Sequence, residues 1–286
     1  MKMPDNKLQS VNQYFHMKLD ALYNVNEVDS FFWILTEEKV GATKLDCMKD
    51  PDIRFNESEL LDFIRYSRRL AKYEPVQYIA GVEDFMGLKL KVTPDVLIPR
   101  PETEELVDWV SKQADKEAPL EIIDIGTGSG CIAIGVKNKL PNAFVKGVDI
   151  SRKAISVAEQ NAESNNLKVD FMMMDALNLP WERDKYDIVI SNPPYVLDSE
   201  KEQMSKNVLE YEPHTALFVE DEDPLLFYEA IGAWAAESLK KGGQLFFEIN
   251  EKYAQKTVGL LEELGFSKVE SRNDIFDKPR MIRAIK

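Results

Sequence analysis

The sequence predicts an α/β protein in which a doubly wound, mostly parallel seven-stranded sheet follows a small N-terminal helical bundle and a β-hairpin linker. Short apolar runs alternate with helical periodicity from residue 101 onward, whereas the first eighty or so residues show helical periodicity alone. Such alternation is typical of a parallel sheet covered by helices on both faces. The 286 residues are about twice the commonest domain size of roughly 100–150 residues, which favours two domains. We expect a helical domain at 1–82, the linker at 83–98 and the larger domain at 99–286.

The N-terminal region carries helix signals in order along the chain. Apolar side chains recur at helical spacing over residues 7–22 and 28–35, and Gly41 can close the second helix with a left-handed cap. Asn56 and Glu59 match a capping box that begins a third helix. The region is therefore predicted to be a small helical bundle.

Residues 85–98 change to β-like apolar spacing, interrupted by Gly87 and by Pro94-Asp95. We interpret this stretch as a hairpin that links the two domains.

From Pro101, which suits the first turn of a helix, the chain alternates between helices and strands. The predicted strands are 120–125, 144–148, 169–173, 186–190 and 244–249, and the helices between and after them are 129–139, 152–165, 224–240 and 251–264. Two final strands, near 267–271 and 281–285, are joined too closely for a helical crossover and must be antiparallel. The prediction is a parallel sheet with one reversed strand.

Composition and charge exclude several classes of protein. No apolar run approaches the roughly 20 residues of a transmembrane helix, and the polar start Met1–Asn6 contains no signal peptide, so we expect a cytoplasmic protein. The formal net charge of −14 argues against a large nucleic-acid interface, which needs clustered Lys and Arg. Cys47 and Cys131 have no neighbouring Cys or His, so neither a disulfide framework nor a metal site is expected.

A glycine-rich turn follows the first predicted parallel strand, with the sequence Asp124-Ile125-Gly126-Thr127-Gly128-Ser129-Gly130. Glycines there allow a ligand to approach the backbone at the edge where such sheets bind cofactors. The next two strands end near Asp149 and Asp175. Three carboxylates would repel a diphosphate, but they suit an ammonium, a sulfonium, ribose hydroxyls and an adenine amino group, all of which S-adenosylmethionine carries. The alternative is that each Asp only caps the helix that follows it.

The fourth strand runs into Ser191-Asn192-Pro193-Pro194-Tyr195. Two prolines stiffen the turn and remove two N–H donors, so the loop is rich in hydrogen-bond acceptors. The Asn192 side-chain oxygen and the Pro193 carbonyl can accept from a planar –NH₂ group while Tyr195 packs on its face. This arrangement suits methylation of an amide or aromatic amine, in which positioning rather than an acid–base pair carries catalysis. We predict Asn192, Pro193 and Tyr195 as catalytic residues and Asn192 to Tyr195, Pro194 included, as the substrate-binding loop.

The glycine turn resembles that of class I S-adenosylmethionine-dependent methyltransferases. Three further stretches, Leu97–Glu104, Ser191–Tyr195 and Tyr211–Pro213, closely resemble the release factor glutamine methyltransferase family over nearly the whole chain. The resemblance implies a Rossmann-like methyltransferase fold and methyl transfer from S-adenosyl-L-methionine to N5 of the glutamine in the Gly-Gly-Gln motif of class I peptide chain release factors. It also implies that Ile98–Thr103 lines the entrance of the active site. The cofactor-binding residues that the turn and the resemblance together predict are Asp124, Gly126, Thr127, Gly128, Ser129, Gly130, Asp149, Asp175 or its neighbour Ala176, and Asn192.

The chain departs from the family pattern in three loops. Members often carry Glu-x-Gly after the fifth strand and a glycine in the closing hairpin, whereas this chain has Glu248-Ile249-Asn250 and Asp277-Lys278-Pro279-Arg280. The acidic stretch Glu220–Asp223 replaces a glycine-rich turn. These departures concern loop conformation and partner affinity more than the reaction.

Three other functions remain open at the level of sequence. A ribosomal protein could supply the glutamine, an adenine-N6 methyltransferase of nucleic acids could use the same loop on a flipped base, and a non-catalytic binding module could retain the fold. The acidic charge argues against direct nucleic-acid binding. We expect a monomer with a release factor as protein partner and no membrane contact. Arg65, Arg68, Arg69 and Lys72 form a basic helix face that could meet an acidic partner, although a solvated face is the interpretation we prefer.

Overall fold

The computed structural model describes residues 5–50 and 53–286. Met1–Pro4, part of the polar start from which we argued against a signal peptide, and the pair Pro51-Asp52 lie outside the described residues, so the 1–82 domain is described only in part. The described chain forms two compact units, the first reaching to Val82 and including Ser205–Tyr211, the second comprising Glu83–Met204 and Glu212–Lys286. The predicted domain boundaries stay a prediction. They assigned Ser205–Tyr211 to the larger domain, because sequence proximity alone suggested it.

The elements follow the predicted alternation. The helices are α1 (Leu8–Leu19), α2 (Val25–Val40), α3 (Lys44–Lys49), α4 (Glu57–Leu70), α5 (Val76–Ala80), α6 (Pro101–Gln113), α7 (Cys131–Lys139), α8 (Arg152–Ser164), α9 (Lys206–Tyr211), α10 (Leu226–Ser238) and α11 (Ala254–Glu263). The strands are β1 (Val82–Phe85), β2 (Leu88–Lys91), β3 (Glu121–Ile125), β4 (Phe144–Asp149), β5 (Asp170–Met173), β6 (Tyr186–Ser191), β7 (Val196–Leu197), β8 (Phe218–Val219), β9 (Leu239–Glu248), β10 (Ser267–Asn273) and β11 (Pro279–Ile285).

Local capping chemistry explains the helix ends in the first unit. Gly41 closes α2 at φ 74°, and Asn56 and Glu59 form the reciprocal capping box of α4. The short helices α3 and α5 were not predicted. Helix α4 ends at Leu70, before Pro75, and Pro75 is the N-cap residue of α5.

The basic face of α4 is partly committed to contacts within the first unit. Arg69 donates to Glu74 from Nε at 2.7 Å and from Nη2 at 2.5 Å. Arg65 lies 3.3 Å from Asp62. The bidentate pair holds Arg69 against its own unit, which favours the interpretation of a solvated, internally paired helix face.

The predicted hairpin is present, but the prediction placed it too far along the chain. The hairpin comprises β1 and β2, with Met86-Gly87 at its tip, and thus begins before the predicted 85–98 stretch. Val96 and Ile98 are buried but belong to a turn and an irregular segment. Burial of alternate apolar residues by the larger unit imitates a strand pattern there, which is why periodicity alone misplaced the hairpin.

The large sheet confirms the predicted fold class. Its strand order is β10-β11-β9-β6-β3-β4-β5. Neighbours from β9 to β5 pair in parallel, and β11 runs antiparallel to both β9 and β10. The result is the doubly wound, seven-stranded sheet with one reversed strand that the sequence predicts.

Two apolar cores cover the two faces of this sheet. One core combines residues of α6 and α7, such as Leu106 and Ile134, with sheet residues such as Ile188. The other combines Ile231 of α10 and Leu261 of α11 with the opposite face. Because both faces are covered by helices, we expect ligands to bind at the carboxyl ends of the strands. Among residues 5–50 and 53–286, no helix is both long and apolar enough to cross a membrane.

We predict that Gly130→Ala destabilises the protein more than Gly242→Ala does. Gly130 has φ +82°, and an added Cβ would lie 3.0 Å from both Ala158 Cβ and Ile134 Cδ1. Gly242 has φ +81° with no heavy atom of the described residues within 4 Å of that position. Both variants lose about 1–2 kcal/mol for the left-handed conformation, and Gly130→Ala loses about 1–3 kcal/mol more for overpacking. Chemical denaturation measures the free energy of unfolding of both variants. Equal losses in the two variants would contradict the packing argument.

Candidate active site

The glycine turn and the Asn-Pro-Pro-Tyr loop leave the sheet side by side. Strands β3 and β6 are parallel neighbours, and Ile125 pairs with Ser191 at their ends. The Ser191 hydroxyl donates to the Ile125 carbonyl at 2.6 Å, which ties the two strand ends together. This is the point at which strand order reverses, with β4 on one side of β3 and β6 on the other. Ligands of doubly wound sheets bind at such a point.

The glycine turn is held by backbone hydrogen bonds from its neighbour β4. The N–H groups of Gly126 and Thr127 donate to the Val148 carbonyl at 2.8 and 2.9 Å. Gly126, Gly128 and Gly130 have φ values of 78°, 54° and 82°, a region that favours glycine. An ideal Cβ on Gly126 would lie 3.9 Å from the Asn192 carbonyl oxygen, so the two loops approach closely.

Two of the predicted carboxylates border the space beside this turn. Asp149 accepts from the Gly128 N–H at 2.9 Å and from the Ser151 N–H at 2.8 Å. Burial raises the pKa of Asp149, and these two N–H groups oppose that rise. Asp175 accepts from the Leu177 N–H at 2.9 Å and from the Asn178 side chain at 2.6 Å. Each carboxylate is thus oriented by its neighbours and keeps lone pairs for a ligand.

Asp124 occupies a different position from the one predicted. It is fully buried, and its Oδ2 accepts from the Thr127 hydroxyl at 2.6 Å. Burial raises the pKa of Asp124 to about 7. The side chain therefore braces the glycine turn from inside the protein instead of facing a ligand. The sequence places all three carboxylates near strand ends, so it did not distinguish the buried position of Asp124 from the cavity-lining positions of Asp149 and Asp175. The difference arises in the folded sheet, where β3 is central and β4 and β5 lie nearer the edge.

A cavity of about 380 Å³ lies between the two loops, within the roughly 300–1,000 Å³ of small-molecule sites. The predicted site residues that line it are Gly126, Thr127, Gly128, Ser129, Asp149, Asp175, Ala176, Asn192, Pro193 and Pro194. Gly130 begins α7 behind the turn. Tyr195 lines a smaller adjoining cavity of about 50 Å³, which Asn192 and Pro193 share. The Asn-Pro pair therefore connects the two spaces.

The Asn-Pro-Pro-Tyr loop is anchored at its far end. The N–H groups of Tyr195 and Val196 donate to the Leu217 carbonyl at 3.1 and 2.9 Å. The Tyr195 carbonyl accepts from the Asn250 side chain at 3.1 Å. These bonds, with two fixed proline φ angles, leave the loop little conformational freedom.

A buried hydrogen-bond chain connects this loop to α6 and β9. Asn192 Nδ2 donates to Thr103 Oγ1 at 3.4 Å, and the Thr103 hydroxyl donates to Glu248 Oε2 at 2.7 Å. Glu248 Oε1 accepts from the Tyr195 hydroxyl at 3.1 Å. Glu248 is 1% exposed, and burial raises its pKa. Sequence reasoning missed this role, although a carboxylate that ends the apolar strand β9 was an available signal.

The entrance segment that resembles the family is fixed by a second buried carboxylate. Glu212, which is 3% exposed, accepts from Arg100 Nη2 at 2.5 Å and from the Ile98 N–H at 3.4 Å. Residues from both stretches, Ile98 to Arg100 and Pro213, line the larger cavity. The pair therefore joins two cavity walls that are far apart in sequence.

The departures from the family pattern have local solutions. Asn250 has φ −70°, which any residue adopts, and its side chain supports Tyr195 as described above. Asp277 does take a left-handed conformation, at φ 60°, and its Oδ1 accepts from Asn273 Nδ2 at 2.8 Å. In the acidic stretch, Asp221 Oδ1 accepts from the Ser199 hydroxyl at 2.5 Å. The replacements thus use side-chain hydrogen bonds where family members often use glycine.

No cluster of three or more His, Cys, Asp or Glu side chains suited to a metal ion occurs within the described part of the chain. Burial raises the pKa of Cys131, a cavity-lining residue, to about 12. The Cys131 thiol is therefore protonated near neutral pH and is a weak nucleophile.

The chain is similar in sequence and in fold to known methyltransferases. A family model described as "Methyltransferase small domain" matches residues 103–214. The chain is 42% identical to the release factor glutamine methyltransferase of Flavobacterium psychrophilum, over 96% of this chain and 98% of the relative. It is 40% identical to that of Bacteroides thetaiotaomicron, over 97% and 99%. A methyltransferase structure from Pyrococcus furiosus, 18% identical, superposes with a TM-score of 0.52 over 78% of this chain and 98% of that one. The relatives confirm the resemblance in sequence, and the structure agrees with the fold.

We predict that Asp124→Asn flattens the pH dependence of stability. The pKa of Asp124 is about 7 in the folded protein, compared with about 4 in an unfolded chain. Between these values the folded state keeps a proton that the unfolded state has released. Wild-type stability therefore falls as pH rises from about 4 to about 7, by at most roughly 1.4 kcal/mol per pH unit from this group.

The measurement is the free energy of unfolding of both proteins across that pH window. The neutral asparagine lacks this proton linkage, so the variant's stability declines less steeply with rising pH. Parallel curves for the two proteins would show that Asp124 does not carry the linkage.

Proposed function

This chain belongs to the release factor glutamine methyltransferase family, and we propose that it transfers a methyl group from S-adenosylmethionine to the N5 amide nitrogen of the glutamine in the Gly-Gly-Gln motif of class I peptide chain release factors. The observation that carries the proposal is the adjacency of the two loops, with the Asn192 backbone 3.9 Å from a Cβ position on the glycine turn. An acceptor-rich loop and a nucleoside-type cradle thus open into one cavity.

The residues beside the glycine turn fit the cofactor. Its sulfonium supplies an electrophilic methyl group. Gly126 and Gly128 leave the backbone open to close approach, and Asp149 keeps lone pairs that can accept from ribose hydroxyls. Asp175 and Ala176 line the same cavity one strand further along, where they suit the adenine end.

The Asn-Pro-Pro-Tyr loop suits a flat carboxamide. Asn192 Oδ1 and the Pro193 carbonyl are two acceptors for the two N–H bonds of a glutamine side chain, and Pro194 contributes no competing N–H. The Tyr195 ring borders the adjoining small cavity. Burial raises the pKa of Tyr195 well above its ordinary value, so its hydroxyl stays protonated and bonded to Glu248.

Orientation and electrostatics then account for the reaction. A carboxamide nitrogen is a weak nucleophile because its lone pair is delocalised, and the two oxygens hold it in line while they stabilise the positive charge that develops. The methyl group would form one new N–C bond as its S–C bond breaks and leaves a neutral thioether, and the nitrogen would release one proton to solvent. Asn192, Pro193 and Tyr195 are the residues to which we assign this work.

The finer statements about partners and location belong to the same proposal. We propose that the protein acts as a monomer in the cytoplasm, with a release factor as its protein partner and without direct nucleic-acid contact. The names of the relatives support a release factor over a ribosomal protein as substrate. The net charge of −14 disfavours an adenine methyltransferase acting on nucleic acid.

Mass spectrometry of a purified release factor tests the proposal. After incubation with this protein and S-adenosylmethionine, we expect a gain of one methyl group on the Gly-Gly-Gln glutamine. A release factor carrying Gly-Gly-Glu at that motif is the matched substrate control and should stay unmodified. Methylation of ribosomal protein or DNA in parallel reactions, with an unmodified release factor, would contradict the assignment.

We predict that Asn192→Ala and Asp149→Ala separate catalysis from cofactor binding. Asn192→Ala removes an acceptor that faces the substrate nitrogen, so turnover should fall at least about 10²-fold while calorimetric cofactor affinity changes little. Asp149→Ala removes the ribose acceptor and should mainly weaken cofactor affinity. Abolished cofactor binding in Asn192→Ala, with no specific effect on turnover, would be inconsistent with the assigned role.

A further inference from the structure

When it is ionised, the Glu248 carboxylate fixes the direction of the hydrogen bonds that it makes with two neighbouring hydroxyls. An ionised carboxylate accepts and never donates, and Glu248 is 1% exposed. Its two oxygens accept from two hydroxyls, Thr103 at 2.7 Å and Tyr195 at 3.1 Å. The Thr103 hydroxyl has one proton, which it donates in the hydrogen bond to Glu248.

The direction of the Thr103–Glu248 hydrogen bond also fixes the direction of the bond between Thr103 and Asn192. Because the Thr103 proton points at Glu248, Thr103 Oγ1 can only accept from Asn192. The Asn192 side chain must then turn its Nδ2 toward Thr103, at 3.4 Å. Its Oδ1 is left for a ligand in the cavity. The opposite amide orientation would present a donor to an incoming –NH₂ group, which needs an acceptor.

We propose that Glu248, acting through Thr103, is a positioning residue that fixes the Asn192 amide with Oδ1 toward the substrate nitrogen. The inference rests on the proposed function and deepens it, since it says what makes Asn192 an acceptor rather than a donor. Neither Glu248 nor Thr103 needs to touch the reacting atoms.

Burial raises the pKa of Glu248, and the hydrogen bonds from Thr103 and Tyr195 oppose that rise. Arg280 of β11 favours the charged carboxylate, while Glu102 of α6 disfavours it. Tyr195 of the loop, Tyr228 of α10 and Cys131 of α7 also interact electrostatically with Glu248. Arg280 is itself held by Asp274, with Nε donating to Oδ2 at 3.2 Å. A protonated Glu248 could donate to Thr103, and the directions of the hydrogen bonds from Glu248 through Thr103 to Asn192 would no longer be fixed.

Three variants test the directions of these hydrogen bonds. The measurement is turnover with a release factor at saturating concentration. Thr103→Ser keeps the hydroxyl and should stay close to wild type. Thr103→Val removes it and frees the Asn192 amide, which should lower turnover roughly three- to ten-fold. Glu248→Gln can donate to Thr103 and so favours the wrong amide orientation, which should lower turnover about 10- to 100-fold.

Thr257→Val is the matched control. Thr257 is fully buried, and its hydroxyl donates at 3.0 Å to the Tyr253 carbonyl within its own helical segment. Thr257→Val should keep wild-type turnover, while its melting temperature should fall by about as much as that of Thr103→Val. In addition, the turnover of the wild type should decline as pH falls through the Glu248 pKa, and this acid limb should disappear in Glu248→Gln.

A readout without turnover separates this inference from the proposed function. The side-chain amide ¹⁵N–¹H pair of Asn192 should show the shift and slow exchange of a bonded NH₂ in wild type and Thr103→Ser, and those of a free amide in Thr103→Val. If wild type leaves the release factor unmodified, the proposed function fails, and the amide spectra still decide the orientation. Unchanged spectra in Thr103→Val, or turnover in both Thr103→Val and Glu248→Gln equal to that of Thr257→Val, would overturn the inference.

Discussion

The parallel pairing of β3 with β6 is the constraint on which the site depends. Because Ile125 pairs with Ser191, the next residues of both strands, Gly126 and Asn192, emerge side by side at the reversal of strand order. A shift of one residue in this register would turn the strand side chains to the opposite face. The apolar cores on both faces of the sheet prevent such a shift. The packing of the sheet therefore sets the distance between cofactor cradle and substrate loop.

Buried carboxylates hold the loops of the site in position. Asp124 braces the glycine turn through Thr127, Glu212 holds the entrance through Arg100, and Glu248 holds the loop through two hydroxyls. Burying a carboxylate is costly unless its oxygens receive hydrogen bonds. Glu212 and Glu248 therefore draw donors from distant segments into fixed positions, whereas the donor to Asp124 belongs to the glycine turn itself. The stiffness that methyl transfer to a weak nucleophile needs comes from this arrangement.

The sequence was sufficient for features that local chemistry determines. The alternation of strands and helices, the caps at Gly41 and Asn56, and the reversed last strand follow from periodicity, capping chemistry and loop length. The position of the hairpin did not follow, because buried irregular residues imitate a strand. Thr103 and Glu248 are far apart in sequence and meet only across the packed domain, so no local pattern reveals their bond. The same limit explains why Asp124 was grouped with the ligand-facing carboxylates.

Methyl transfer by this site requires that the loop bind a carboxamide whose nitrogen faces the methyl carbon held at the glycine turn. A crystal structure of the protein with S-adenosylhomocysteine and a Gly-Gly-Gln peptide tests it most directly. We expect the glutamine nitrogen at about 3 Å, hydrogen-bond distance, from both Asn192 Oδ1 and the Pro193 carbonyl, with the lone pair of that nitrogen directed at the cofactor sulfur. A glutamine bound elsewhere, or a sulfur too distant for direct transfer, would contradict it.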